Sequence, residues 1–135
     1  MESSSTSRIT AKIIVHGKGE ASADLFRHLS PMTLNAIMLK MPIHGRVNRI
    51  GESLICIITS VVAGTEKSKT TFEQGAITFL PLNGSICIFL KPGKSARPLN
   101  QIGSISSGLE TLLKAGNGDT ITITITTTTP PPNFT

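Results

Sequence analysis

A chain of 135 residues with 39% hydrophobic content has the size of one domain around one core and is too short for two. Its net charge is +5 and its isoelectric point near 9.6, yet it has no Trp, no Tyr and five Phe, of which Phe26, Phe79 and Phe89 sit in apolar runs. Single-strand binders stack bases on exposed aromatic rings, and no zinc spacing, helix-turn-helix pattern or RNP-like motif is present, so nucleic acid is not the expected partner.

Residues 2–7 are Ser, Thr and Glu without an apolar anchor, which predicts a disordered tail over 1–7. Ile9–Val15 is apolar and β-branched, Gly17-Lys18-Gly19 is a turn, and Ala21, Ala23 and Leu25 alternate with polar residues, so this stretch reads as a hairpin. Ser30 is placed to cap a helix with Pro31 at its first position. Leu34, Ile37, Met38 and Met41 fall at i, i+3, i+4 and i+7, an apolar face that plugs a barrel, and Pro42 ends the helix.

Val47–Ile50 and Leu54–Val62 read as strands joined by a Gly51-Glu52 turn. Ala63–Gln74 is polar, with Phe72 its only large apolar residue, and reads as a surface loop or edge strand. Two apolar runs separated by Pro81, Asn83 and Gly84 are paired strands, and the basic loop after them leads to another strand at Ile102. Ser107 and Glu110 have the spacing of a capping box, Leu109, Leu112 and Leu113 form an apolar stripe, and Gly116 stands at the C-cap. Asn117-Gly118-Asp119 turns into Thr120–Thr126, where Ile121, Ile123 and Ile125 alternate with Thr, and a Thr/Pro-rich tail over 127–135 is expected to be disordered. Strand starts at Ile9, Glu20, Val47, Leu54, Ile77, Ser85, Ile102 and Thr120 predict a mainly β domain over 8–126. It is expected to be a closed or nearly closed antiparallel barrel of about eight strands with two short helices, the size at which side chains just fill the interior.

Cys56 and Cys87 each occupy an Ile-Cys-Ile triplet, which predicts two buried, reduced thiols, a bridge between neighbouring strands being the alternative. No apolar run approaches the ~20 residues that span a bilayer, and the N-terminus lacks a basic-then-apolar leader, so a cytoplasmic protein without membrane attachment is expected.

Three segments carry a resemblance: Pro42, Gly45, Arg46, Asn48 and Gly51 in the first; Gly75, Ile77, Pro81, Cys87, Ile88 and Phe89 in the second; Asn100 and Gly103 in the third. They are similar to the A-x-P-x-x-G-R-x-N-x-x-G, G-D-I-x-Y-x-P-x-x-x-x-L-C-I-F-x-G and P-V-N-x-x-G stretches of a little-characterised family of single-domain cyclophilin-like proteins, found mainly in prokaryotes. The resemblance implies a cyclophilin-like fold. Thr78-Phe79-Leu80 departs from it, since relatives have Tyr and Trp around that strand.

The resemblance does not bring the chemistry of true cyclophilins, whose F-H-R-x-I-P-x-F stretch and aromatic, Gln-rich floor are missing. Charge is the more specific cue. No carboxylate lies between Glu73 and Glu110, where Lys91, Lys94 and Arg97 cluster, nor between Asp24 and Glu52, where Arg46 and Arg49 lie. If both stretches converge at one barrel end they form a cationic mouth over an apolar interior. Arg46 and Asn48, two apart on a strand, share a face and either fork an anionic group or brace loop carbonyls. The expected ligand site is Arg46, Asn48, Glu52, Phe79, Phe89, Arg97 and Asn100, for an anionic small molecule or a peptide segment, with no metal and no cofactor. His16 and His28 lie apart from it, and His44 beside Arg46 reads as an exposed turn residue. Glu52 is the only carboxylate in the family-like stretch and has no catalytic partner, which is poor ground for an enzyme. A binding module without catalysis is therefore the leading reading, with a peptidyl-prolyl isomerase and a protein-interaction module without a small ligand as alternatives, and the oligomeric state is open.

Overall fold

The computed structural model describes residues 8–126; the two expected tails, 1–7 and 127–135, lie outside the described residues. Strands β1 (Arg8–Val15) and β2 (Gly19–Phe26) form the expected hairpin, and helix α1 (Pro31–Leu39) buries Leu34 and Ile37 before the chain turns at Pro42. Then come β3 (Ile43–Arg46), β4 (Asn48–Ile50), β5 (Leu54–Ile58), β6 (Lys69–Phe72), β7 (Ala76–Leu80), β8 (Ser85–Phe89), β9 (Gly93–Ser107), helix α2 (Leu109–Leu113) and β10 (Thr120–Ile125).

The strands pair antiparallel in the order β3-β10-β1-β2-β9-β7-β8-β5-β4, with β6 pairing β9 off this path. The two ends of the path, β3 and β4, are separated in the chain by Val47 alone, so the sheet curls back on itself. Its ladder stays open. At the seam a Cβ on Gly45 would stand 2.5 Å from the Ile57 Cγ2, so β3 passes β5 at a distance only glycine allows. Next to this crossing a gap of about 290 Å³ is lined by Ile43 and His44 on one side and Ile58, Thr59 and Ser60 on the other.

Ten strands replace the expected eight. β3 was hidden because Ile43 is the only inward apolar side chain in Ile-His-Gly-Arg, and β6 because Phe72 alone of Lys-Thr-Thr-Phe is buried. β9 begins at Gly93 rather than Ile102, since its first half pairs only with β6 across a bulge that its Pro and Gly residues suit.

The interior is packed. Ile13, Leu34, Ile37, Ile55, Phe79 and Ile102 are among the side chains that fill it, and the residual void of about 10 Å³ barely admits a water. Among the described residues no apolar ligand chamber of the expected kind opens beneath a cationic mouth, because the side chains that were to line it fill the interior.

Cys56 and Cys87 stand opposite each other on β5 and β8 with their Ile neighbours facing inward, so both thiols point to the outer face, where they are buried and free. Since the Leu90 N–H bonds the Ser53 carbonyl, alternation makes Cys56 and Cys87 a pair without mutual backbone bonds, the type that brings side chains closest. Their sulfurs are 2.8 Å apart. Hydrogen bonding to Cys56 and burial push the Cys87 thiol up. A second apolar cluster, Phe72, Ala76, Phe89 and Leu99, covers the neighbouring part of this outer face under β6, with the Phe72 and Phe89 rings 4.9 Å apart.

Both helix caps differ from expectation. Ser30 does not cap α1; its hydroxyl donates to the Gln101 carbonyl at 2.9 Å. The cap is Glu66, whose carboxylate accepts the Met32 and Thr33 N–H groups at 3.0 and 2.8 Å and the Thr33 hydroxyl at 2.8 Å. The Ser107–Glu110 box does not form either, because Gly108 takes the N-cap in a left-handed conformation and the helix is little more than one turn. Nor does Gly116 cap its end. The Arg49 guanidinium does, donating to the carbonyls of Leu113 at 3.1 Å and Ala115 at 2.7 Å.

Two outcomes follow from this packing. Leu112, fully buried, loses its core contacts in Leu112→Ala, which should destabilise by ~2–5 kcal/mol, and Gly45→Ala, which drives a methyl into Ile57, by ~1–3 kcal/mol, both read from urea unfolding. Burial pushes the Glu66 carboxyl up, but its three hydrogen bonds and the nearby Lys67 outweigh this and hold it below the usual carboxylate range. A lowered folded value means a contribution that is complete above the unfolded value of about 4.3 and lost as pH falls through the folded one. Melting temperature of the wild type should therefore drop more steeply below about pH 4.3 than that of Glu66→Gln; parallel acid profiles would contradict this role.

Candidate functional site

The seven residues expected to bind ligand divide into three groups. Phe79 is fully buried in the interior and Asn100 fully buried between β9 and the 63–66 segment, so neither opens to a ligand. Arg46 and Asn48 both point outward, with the buried Val47 between them facing in; Arg46 stands opposite Thr120 on β10 and Asn48 opposite Cys56 on β5. Arg97 is exposed on the outward bulge of β9. The two stretches without acids touch at their margins: the Glu52 carboxylate, which ends one, is 3.6 Å from the Lys91 ammonium of the other, and next to it the Leu90 N–H bonds the Ser53 carbonyl at 2.7 Å. Both partners of that ion pair are exposed, so it contributes little.

Phe89 leads elsewhere. It supports Phe72 from beneath, and Phe72 borders a groove of about 530 Å³, within the size range of small-ligand sites. One wall is the overhanging β6 and the residues after it, Lys69, Thr71, Glu73 and Gln74; the other is Gln101, Ser104 and Ile105 of β9, with Phe72 and Ala76 as its apolar part. The Gln74 side-chain amide donates to the Leu90 carbonyl at 3.0 Å and that of Gln101 to the Gly103 carbonyl at 3.2 Å, so both are oriented before any ligand arrives. The Lys69 ammonium lies 5.5 Å from the centre of the Phe72 ring, and Glu73 balances its charge on the same wall. The groove thus offers amide and hydroxyl partners around one aromatic ring. Sequence reasoning missed it because its polar wall reads as an ordinary loop; the lone Phe72 was the one signal. No group of three or more His, Cys, Asp or Glu that could hold a metal ion occurs among the described residues.

The family model described as cyclophilin-like matches residues 9–124. The chain belongs to the cyclophilin-like family. The solution structure of the hypothetical protein AF2241 from Archaeoglobus fulgidus is similar to this cyclophilin-like domain at 23% identity and a TM-score of 0.71, over 87% of this chain and 95% of that one. The structure of McbB in complex with tryptophan is similar at 12% identity and a TM-score of 0.72, over 90% of this chain but 46% of McbB, so the chain spans less than half of that protein. Both likenesses are of fold. No curated protein matches the chain.

In this cyclophilin-like domain Asn100 is a clip. Its amide donates to the Thr33 hydroxyl at 3.0 Å and the Gly64 carbonyl at 2.8 Å, and its carbonyl accepts the Glu66 N–H at 2.9 Å, tying β9 to α1 and to the segment that carries the Glu66 cap. Asn100→Ala removes this partner from the Gly64 carbonyl and the Glu66 N–H, while the Thr33 hydroxyl keeps its bond to the Glu66 carboxylate, and should cost ~1–3 kcal/mol for each group left buried and unpaired, with faster hydrogen exchange at the Glu66 amide. An unchanged exchange rate there would show that the clip holds nothing.

Proposed function

We propose that the domain is a binding module for a short peptide segment or a small polar molecule, held in the groove beneath β6. The observation that carries this reading is the groove itself: about 530 Å³, floored by Phe72 and walled by amides already oriented by the fold. With one Lys and one Glu on its wall, it favours hydrogen bonding over charge. Proline isomerisation is not part of the proposal, because Arg46 points outward on β3 while Phe79 fills the interior, so a cation over that apolar ring is not assembled.

A thermal-shift screen of short peptides and small polar compounds tests the reading, with tryptophan among them because the similar McbB structure contains it. A ligand at a hundred times its Kd stabilises by ~2.7 kcal/mol, readily seen as a raised Tm. Gln101→Ala should weaken such binding about tenfold by removing one wall amide. A clean screen would sink the groove reading and leave a protein partner, for which the exposed Met32, Leu39 and Val62 beside α1 are an apolar surface.

A second reading places an oxyanion between Arg46 and Arg97. What supports it is that both guanidiniums are exposed on segments without a neighbouring acid in the chain. Loss of anion binding in both Arg46→Ala and Arg97→Ala is the outcome it requires.

A further inference from the structure

On the outer face of β1, β10 and β3 the register sets Thr120 opposite Arg46, and Thr122 opposite both His44 and Ile14, while the His16 N–H bonds the Thr120 carbonyl at 3.0 Å. Val15, Ile43, Ile121 and Ile123 fill the interior, so the alternate residues His16, His44, Arg46, Thr120 and Thr122 share the outside. The His16 Nε2 lies 2.8 Å and the His44 Nδ1 2.9 Å from one and the same oxygen, the Oγ1 of the buried Thr122. A hydroxyl has one proton and two lone pairs. With both rings neutral it donates to one and accepts from the other; with both protonated it accepts from both. In either state it fixes two imidazoles and leaves the His16 Nδ1 and the His44 Nε2 turned away from it, on the face that carries Arg46. The nearby carboxylates are already engaged, Glu20 by Lys12 at 3.3 Å and Asp119 by Lys18 at 2.7 Å.

We propose that this face is an oxyanion site, in which Arg46 and the outward N–H groups that His16 and His44 both present when protonated grip a tetrahedral dianion or a carboxylate, with Thr122 as the positioning residue. The proposal takes from the second reading above only that Arg46 meets an anion; it gives that arginine other partners than Arg97 and does not depend on the groove. Protonating an imidazole turns its second ring nitrogen into an N–H donor and adds a positive charge, so the grip should tighten on acidification from pH 8 to 5.5.

The test is a titration of the full chain with sodium sulfate, whose charge is constant over that range, at fixed ionic strength balanced with chloride, following the imidazole signals of His16 and His44 by NMR; sodium acetate is run in parallel. Both histidines should respond saturably, with affinity about tenfold or more higher at pH 5.5 than at pH 8. Arg46→Ala and Thr122→Val should each weaken binding about tenfold, Thr122→Ser should restore it, and Arg97→Ala should leave it unchanged. Response to sulfate with acetate inert assigns a tetrahedral dianion; response to acetate with sulfate inert assigns a carboxylate. Imidazole signals that neither anion moves would overturn the site. Binding lost in Arg97→Ala but kept in Thr122→Val would overturn it too, while leaving the pairing of Arg46 with Arg97 intact.

Discussion

One segment, residues 43–50, carries both ends of the main sheet, and the rest of the architecture depends on how it crosses. Val47 is the pivot. Its N–H bonds the Asp119 carbonyl and its own carbonyl accepts the Gly118 N–H, both at 2.9 Å, so the last residue before the switch of partners is anchored to the turn that precedes β10. The Arg49 N–H adds a bond to the Asn117 side chain at 2.6 Å, and its guanidinium closes α2. Before Val47 the segment pairs with β10, after it with β5. A flat sheet cannot satisfy both, so the intervening strands wrap, and Gly45 is the point where the wrap tightens until β3 meets Ile57.

Tight wrapping explains why binding is sought outside. Inward residues from all sides of the curled sheet meet in the middle, and here Ile, Leu, Val, Ala and one Phe leave almost no space. The outer surface is correspondingly elaborated. β6 folds over β7 and β8, turning what would be a wet face into a second apolar cluster and leaving a groove at the margin. This overhang is also the reason that β7 and β8 are apolar at consecutive positions, a pattern of strands covered on both faces.

Much of this was legible in the residues. β-Branched apolar composition marked β1, alternation marked β2 and β10, the Ile-Cys-Ile triplets placed both thiols opposite their isoleucines, and the Leu34/Ile37 spacing found the buried face of α1. What was not legible shares one physical cause: it depended on partners far away in the chain. Glu66 caps a helix that begins at Pro31, Arg49 closes one that ends at Leu113, and β6 is a strand only because β9 lies beside it. The local signals at Ser30 and at Ser107 with Glu110 were sound by propensity but were overridden, in the first case because the Ser30 hydroxyl found the Gln101 carbonyl. In the candidate sites the same rule held. Phe79 and Asn100 fall on the family-like segments for structural reasons, one as core and one as clip, while the convergence of His16 and His44 on Thr122 joins three segments that no spacing in the chain connects.

The contact between β1 and β10 bears on how the chain could be re-threaded. Thr126 donates its N–H to the Thr10 carbonyl at 3.0 Å, so the two outermost stretches of the described fold run side by side. A short linker joining them would span little distance, and new ends opened in an exposed hairpin such as Gly17-Lys18 would leave every strand with its neighbours. New ends at Val47 would have a different meaning. They would release β3 from β4 and let the two edges of the already open ladder move apart, where their N–H and C=O groups become the kind of surface on which strands from separate molecules associate. The covalent link at Val47 therefore does topological work that no hydrogen bond in the ladder replaces.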